Sequence, residues 1–170
     1  KKQYAEKRNS AATEPTIVCA KAVDWLGEQV ECDLLLTDPP YMTDVDDITA
    51  FASEWLPLAL SKVKPTGRAY VCVGAYPEEI RAYLTAAMPT QVLVWTYRNT
   101  LGPCAKTRYN LNWQAILYYC GCDAKPLDSP ILTERWAVQD INAPDGRQGN
   151  RLHKWQKPDE LAERLIRHST

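Results

Sequence analysis

Short, continuous apolar runs alternate with amphipathic stretches along most of the chain. We predict strands at the apolar runs, which are residues 16–19, 32–37, 69–73, 91–97 and 113–119. A run without polar alternation indicates a strand that is covered on both faces, and such strands usually belong to parallel sheets packed between helices. The apolar pattern therefore favours a sheet with helical layers.

Helices are predicted where apolar residues recur every three or four positions. They are residues 23–29, 47–64, a segment that begins at Pro77, and 158–168. Pro57 lies inside the second helix and is expected to kink it. Pro77 and Pro158 are each followed by acidic residues, an arrangement favoured at helix N-termini. We expect the inner face of the Pro77 helix to carry Ile80, Leu84 and Ala87.

The order of these elements predicts an α/β fold. Strands and helices alternate up to residue 97, and the next two strands lack a crossover helix, so we expect them to be antiparallel neighbours. We predict a mostly parallel sheet with one antiparallel strand and helices on both faces, in residues 15–170. Residues 1–14 are expected to be a tail or linker, and the proline-containing residues 123–150 an irregular insertion.

Composition narrows the class of protein. The 170 residues, 45% of them hydrophobic, suffice for one core. A net charge of −1 and a pI of about 6.2 argue against a protein that coats nucleic acid nonspecifically. No apolar run approaches the roughly 20 residues of a membrane span, and the polar N-terminus is no signal peptide. We therefore expect a cytoplasmic protein without membrane contact.

The six cysteines do not form a recognisable metal or disulfide pattern. Cys19, Cys32, Cys72 and Cys120 lie in apolar runs and are expected to be buried thiols. The close pair Cys120-Gly121-Cys122 lacks the spacing and partner ligands of a zinc site. We expect no metal.

Positive charge is concentrated in two polar stretches. The first contains Arg98, Lys106 and Arg108, and the second contains Arg147, Arg151, Lys154 and Lys157. Each stretch is a candidate for a local basic groove, and an ordinary solvated surface is the alternative for each.

The tetrapeptide Asp38-Pro39-Pro40-Tyr41 directly follows a predicted strand. Consecutive prolines restrict φ and contribute no backbone N–H, so the carbonyl groups around them become rigid acceptors. The carboxylate and a carbonyl could together accept both hydrogens of an exocyclic amino group, and the tyrosine ring could stack on the base. The alternative is a strand-ending turn in which Asp38 caps a neighbour and Tyr41 packs.

The segment from Leu34 to Tyr41 resembles the catalytic motif of S-adenosylmethionine-dependent DNA amino-methyltransferases. Residues 153–158, His-Lys-Trp-Gln-Lys-Pro, resemble the His-x-x-Gln-Lys-Pro segment of the same family. The order of the two motifs is typical of the circularly permuted β group. The resemblance implies a Rossmann-like methyltransferase sheet, a catalytic half in residues 15–170, and a target-recognition region in 123–150.

The resemblance also implies roles for individual residues. Asp38, Pro39, Pro40 and Tyr41 would be catalytic, and Asp38, His153 and Lys157 would bind the cofactor S-adenosylmethionine. Double-stranded DNA would be contacted by Arg98, Lys106, Arg108, Arg147 and Arg151. The Asp form of the motif favours adenine N6 as the target, and the base would be flipped out of the duplex. An ordinary surface histidine is the alternative for His153.

Two departures from the family pattern qualify this interpretation. Ala20-Lys21 stands where the family commonly has Gly-Asp, and the glycine-rich Asp-Pro-Phe turn that cradles the cofactor does not occur in the sequence. We therefore expect the chain by itself to be inactive and to need the remainder of its own chain or a second subunit. A catalytically incomplete binding module, and a methyltransferase acting on RNA or protein glutamine, are the competing interpretations.

Overall fold

The computed structural model describes residues 15–29, 31–99, 106–145, 152–153 and 155–169. The helices are α1 (Ala22–Gly27), α2 (Ile48–Leu60), α3 (Pro77–Ala86) and α4 (Asp159–Ser169). The strands are β1 (Cys32–Thr37), β2 (Val63–Val73), β3 (Gln91–Thr96), β4 (Trp113–Cys120) and β5 (Val138–Asp140), and a 3₁₀ turn covers Leu132–Arg135. The predicted tail, residues 1–14, lies outside the described residues.

The strands form one five-stranded sheet in the order β1-β2-β4-β3-β5. β1 is parallel to β2, and β3 is parallel to β5. β4 is antiparallel to both of its neighbours, β2 and β3. The predicted sheet, mostly parallel with one antiparallel strand, is confirmed, and so is the predicted antiparallel pairing of β3 with β4.

Helices cover both faces of the sheet, as predicted. On one face α2 and α3 pack on alternate residues of the central strands; this core comprises Ala52, Trp55, Leu56, Ala59, Val71, Val73, Ala82, Tyr83, Ala115 and Leu117. On the other face α4 packs on the intervening residues, in a core of Tyr70, Cys72, Trp95, Ile116, Ile141, Leu161 and Leu165. Because side chains alternate along a strand, β2 and β4 contribute to both cores.

A helix cap explains where α2 begins, and a close backbone contact explains why a glycine follows β4. Asp47 precedes α2, and its Oδ1 accepts hydrogen bonds from the N–H groups of Thr49 (2.8 Å) and Ala50 (3.0 Å), which satisfies helix donors that have no intrahelical partner. Gly121 follows β4 so closely that an added Cβ would lie 2.1 Å from the carbonyl oxygen of Pro65. A side chain at that position would force the backbone apart.

The prediction of a strand at residues 16–19 is wrong. These residues form no strand, and the side chain of Ile17 is 95% exposed. Burial of the cysteines was also predicted too widely: Cys72 is buried, whereas Cys19 and Cys120 are exposed. An apolar run stabilises a strand only where a neighbouring strand pairs with it, and the sequence does not show that partner.

Two other elements differ from their predicted bounds. β2 begins at Val63 rather than at residue 69, because Cys32 of β1 pairs with Val63 before an irregularity in the register. The predicted irregular region 123–150 contains β5, which pairs with β3. β5 has three residues, and the buried one among them is the polar Gln139. The sequence therefore shows no apolar run at β5.

Candidate active site

Asp38 and Tyr41 lie at the carboxyl ends of the parallel strands. Asp38 directly follows β1, and the paired strand β2 ends at the same edge of the sheet. Because β4 runs in the opposite direction, it begins at this edge, and Gln114 near its start is adjacent to the end of β2. Open α/β sheets bind ligands at this edge.

The carboxylate of Asp38 is bound by Lys157, which lies on the segment that leads into α4. The Lys157 Nζ donates to both carboxylate oxygens, at 2.9 Å to Oδ1 and 2.8 Å to Oδ2. The Lys157 side chain is 17% exposed and that of Asp38 is 40% exposed. The structure therefore brings together residues of the two motifs that suggested the family.

The phenol of Tyr41 completes this cluster. Its OH donates to Asp38 Oδ1 at 2.7 Å, accepts from Lys157 Nζ at 2.6 Å, and lies 3.3 Å from Gln114 Oε1. Burial raises the pKa of Tyr41 well above its ordinary value, and the hydrogen bond to Asp38 raises this pKa further. The phenol thus stays protonated and keeps donating to the carboxylate.

The Asp38 carboxylate keeps acceptor capacity for a ligand. An ionised carboxylate offers about four lone-pair directions, two on each oxygen. Oδ1 accepts from both Tyr41 and Lys157, whereas within the described ranges Oδ2 accepts from Lys157. Because the Asp38 side chain is 40% exposed, a second direction on Oδ2 can accept a hydrogen of a bound amino group.

Aromatic rings and a thiol line the inner side of the cluster. The Lys157 Nζ lies 5.2 Å from the ring centroid of Tyr41 and 5.9 Å from that of Trp95, within the range of cation–π attraction. Burial, and then the negative charge of Asp38, raise the pKa of the Cys72 thiol to about 12. The Cys72 thiol is therefore protonated near neutral pH, and a protonated thiol is a poor nucleophile.

Hydrogen bonds to side chains fix the backbone around the motif. The N–H of Tyr41 donates to Asp44 Oδ2 at 3.2 Å, and the N–H of Met42 donates to Glu79 Oε2 at 3.0 Å. Pro39 is buried and Pro40 is exposed. Among the described residues, the Asp38 carboxylate is contacted by the side chains of Lys157 and Tyr41, and the local turn is closed by the N–H of Asp44, which donates to the Tyr41 carbonyl at 2.8 Å.

The structure also describes the third predicted cofactor residue, His153. It is exposed on a turn in which the N–H of Gln156 donates to the His153 carbonyl at 3.1 Å. The His153 Nδ1 accepts from the N–H of Trp155 at 3.3 Å. Lys157 directly follows Gln156 in the chain, so the two residues of the second motif lie on one segment that precedes α4.

The predicted DNA-binding residues are described in part. Arg98 forms an ion pair with Asp140 at 2.7 Å while its own side chain stays 79% exposed. Lys106 and Arg108 are exposed on the connection between β3 and β4. This connection joins strand ends at the same sheet edge as Asp38. Arg147 and Arg151 lie outside the described residues.

Several residues around the cluster of Asp38, Tyr41 and Lys157 were not predicted as site residues from the sequence. Gln114 carries a detectable signal, since it is a polar residue within the apolar strand β4. Trp95 and Cys72 look like ordinary core residues. Glu79 was interpreted only as a dipole-stabilising acid, although it is completely buried.

Two classes of feature are missing from the part of the chain that the structure describes. It holds no group of three or more His, Cys, Asp or Glu side chains placed to bind a metal ion. None of its helices is both long enough and apolar enough to cross a membrane.

The chain is similar in fold to solved structures that include DNA methyltransferases. The M1.HpyAVI–SAM complex aligns over 86% of this chain and 70% of its own, with 18% identity and a TM-score of 0.59. The PvuII DNA methyltransferase, described as cytosine-N4-specific, aligns over 89% and 68%, with 15% identity and a TM-score of 0.63. TTHA0409 from Thermus thermophilus, complexed with S-adenosyl-L-methionine, aligns over 88% and 72%, with 18% identity and a TM-score of 0.54.

No family model and no curated protein sequence matches the chain. The likeness to solved structures establishes the fold. The predicted Rossmann-like methyltransferase architecture, and the resemblance to DNA methyltransferases at the level of the fold, are confirmed.

Proposed function

We propose that the protein is a DNA methyltransferase that transfers a methyl group from S-adenosylmethionine to the exocyclic amino group of a flipped base, with adenine N6 as the target. The observation that carries the proposal is the cluster of Asp38, Tyr41 and Lys157 at the carboxyl edge of a methyltransferase-like sheet. The Asp form of the motif favours adenine over cytosine. The cytosine-N4-specific neighbour of the same fold makes cytosine the alternative target.

The residues around Asp38 fit a positively charged cofactor. The Lys157 ammonium, which is paired with Asp38, lies 5.2 Å and 5.9 Å from the ring centroids of Tyr41 and Trp95, and aromatic faces of this kind attract positive charge. We assign Asp38, Lys157 and His153 to cofactor binding. When bound, S-adenosylmethionine supplies an electrophilic methyl group on a cationic sulfur.

In this proposal the chain itself orients the amino group. The free acceptor direction of Asp38 and the carbonyl of Pro39 take the two amino hydrogens, which restores electron density to the nitrogen. Pro40 keeps the carbonyl rigid. Tyr41 holds the carboxylate and offers a ring edge or face to the base; stacking on an aromatic ring is worth about 1–3 kcal/mol and would offset much of the few kcal/mol that base flipping costs.

Double-stranded DNA would approach the carboxyl edge of the sheet. Lys106 and Arg108 are exposed there, and Arg98 keeps much of its surface exposed despite its ion pair with Asp140. We propose that these residues contact phosphates, together with Arg147 and Arg151. Residues 123–150 are the proposed target-recognition region.

Incubation of the full-length protein with labelled S-adenosylmethionine and duplex DNA tests the proposal. Nucleoside analysis of the product distinguishes N6-methyladenine from N4-methylcytosine. Asp38→Ala should lower the rate of transfer by about 10²–10³-fold or more, because a group aligned with the reacting centre is lost. Asp33→Ala is the matched control, since Asp33 lies on the same strand and is paired with Lys64 at 2.9 Å.

The same assay separates the competing functions. Label in RNA or protein, with none in DNA, would replace DNA with another substrate that presents an amino or amide nitrogen. A catalytically incomplete binding module is the remaining alternative. It would bind duplex DNA without transfer of label to any of the three substrates.

A further inference from the structure

The carboxylate of Glu79 joins the ends of two neighbouring strands. Glu79 lies in the first turn of α3 and is 0% exposed. Its Oε1 accepts from the N–H of Gly74 at 2.5 Å, just after β2, and its Oε2 accepts from the N–H of Met42 at 3.0 Å, just after the Asp38–Tyr41 motif. One side chain therefore connects the motif to the adjacent strand end.

Burying a carboxylate is costly unless it is hydrogen-bonded. Here the two backbone donors and the N-terminus of α3 offset that cost. The neighbouring Glu78 shows that the same helix turn can hold an acid in solvent, since its side chain is exposed. Helix stability alone therefore does not require a buried acid at position 79.

Gly74 has no side chain and so leaves room for the Glu79 carboxylate. A Cβ added to Gly74 would lie 2.8 Å from Glu79 Oε2 and 3.1 Å from Oε1. A side chain at position 74 would therefore displace the carboxylate from the place where it accepts the backbone N–H. The hydrogen bond between Gly74 and Glu79 thus depends on the lack of a side chain at position 74.

Glu79 and Lys157 contact different parts of the motif: Glu79 binds the backbone, and Lys157 binds side chains. Lys157 binds the Asp38 carboxylate, and Glu79 binds the backbone directly after Tyr41. We propose that Glu79 is a positioning residue that fixes the Asp38–Tyr41 motif against the end of β2 and so sets the geometry of amino-group methylation. This inference rests on the proposed function.

The first test compares Glu79→Gln with Glu78→Gln in the full-length protein. Glutamine has the shape of glutamate but only one acceptor oxygen, so the N–H of Met42 or of Gly74 would face an amide donor. In single-turnover transfer to duplex DNA we expect the Glu79→Gln rate to fall about 10–100-fold, because small displacements of a reacting group are that costly. Glu78→Gln should keep the wild-type rate.

Two readouts distinguish positioning from a loss of folded protein. The amplitude of the single turnover, which counts active molecules, and the affinity for DNA should stay within about twofold of wild type, whereas the rate constant falls. Amide hydrogen exchange at Met42 or Gly74 should become faster in Glu79→Gln, while exchange in the centre of β2 is unchanged. A reduced amplitude with a wild-type rate constant would overturn the positioning role.

Gly74→Ala provides a second variant that leaves Glu79 intact. Its methyl group should displace the carboxylate and reproduce both the slower transfer and the faster exchange at Met42. Because the two residues act through one contact, the double variant should be little worse than either single one. Fully multiplicative losses would contradict a shared contact.

Failure of this inference and failure of the proposed function give different results. If Glu79→Gln transfers methyl groups at the wild-type rate, the positioning role is wrong and the proposed function stands. If the wild-type protein does not methylate DNA, the proposed function is wrong. In that case the role of Glu79 in methylation is wrong too. Amide exchange at Met42 would then report only on whether Glu79 fixes the backbone after Tyr41.

Discussion

Lys157 donates to both oxygens of the Asp38 carboxylate, although 119 positions separate the two residues along the chain. The contact is formed because α4 packs on the face of the sheet opposite α2 and α3 and begins at the edge where β1 ends. It turns two distant sequence motifs into one charged cluster.

Replacing Lys157 by Met should impair methyl transfer. Loss of the ammonium leaves Asp38 without its cation and Tyr41 without a donor, so we expect the rate of transfer to fall about 10–100-fold, a range typical of losing an electrostatic contact or correct alignment. Lys157→Arg should not restore the rate, because the planar guanidinium cannot reproduce the contacts of a point charge. Single-turnover transfer to duplex DNA measures the effect.

Lys64→Met is the control for this prediction. It removes a comparable ion pair, with Asp33 at 2.9 Å, from the beginning of β1 rather than its end. An equal loss of activity in the two variants would mean that the loss of any ion pair on β1, and not the contact with Asp38, lowers the rate.

The hydroxyl and the ring of Tyr41 should contribute separately. Tyr41→Phe removes the hydrogen bond to Asp38 and keeps the ring, so the expected loss in kcat is about 10-fold, close to one hydrogen bond to a charged group. Tyr41→Ala also removes the stacking surface and should lose a further factor of about 10 or more. Steady-state kinetics with duplex DNA gives both values.

A tyrosine that is 98% exposed, Tyr109, offers the control Tyr109→Phe, which should leave kcat unchanged. If Tyr41→Phe and Tyr41→Ala reduce kcat equally, the ring has no separate role and stacking on Tyr41 is excluded.

Gly121→Ala should destabilise the fold. The added methyl group would meet the backbone of Pro65, which cannot move without disturbing the beginning of β2. We expect the free energy of unfolding to fall by about 1–3 kcal/mol, the usual cost of overpacking. Urea denaturation followed by circular dichroism measures it.

Gly27→Ala is matched to this change, because nothing lies within 4 Å of a Cβ at Gly27. It should leave the free energy of unfolding unchanged or raise it slightly, since alanine restricts the unfolded chain. Equal destabilisation by both alanines would show that the close approach of Gly121 to Pro65 is not formed.

The stability of the protein should fall as the pH drops below about 6.5, the ordinary pKa of histidine. Burial lowers the pKa of His168, and the nearby Arg167 and Arg164 lower it further, against an opposing effect of Glu134. The unfolded chain therefore binds a proton at a higher pH than the folded one does. The stability due to neutral His168 is complete above the unfolded pKa and is lost as the pH falls towards the folded pKa.

Thermal unfolding at pH 7.5 and 5.5 tests this prediction. The difference in Tm between the two pH values should be smaller in His168→Gln than in the wild-type protein. His153→Gln is the control, because the chain's other histidine is exposed. A pH dependence that His168→Gln leaves unaltered would assign the effect to other groups.

Local sequence determined the elements whose signals are complete within a few residues. The apolar run of β1, the three- and four-residue periodicity of α2 and the proline and acids that begin α3 each involve neighbouring residues, so local patterns suffice to predict these elements. The tetrapeptide beginning at Asp38 was recognised in the same way, because its rigidity and its acceptors belong to adjacent residues.

Only the tertiary structure decided which distant groups meet. The exposed apolar residues 16–19 and the short strand β5 show that pairing between strands, and not apolarity alone, decides where a strand forms. The contacts of Lys157 and Gln114 with the motif, and the burial of Glu79, depend on how α4, β4 and α3 pack around the end of β1. Burial and long-range electrostatics are properties of the packed molecule, so no local pattern in the sequence could predict them.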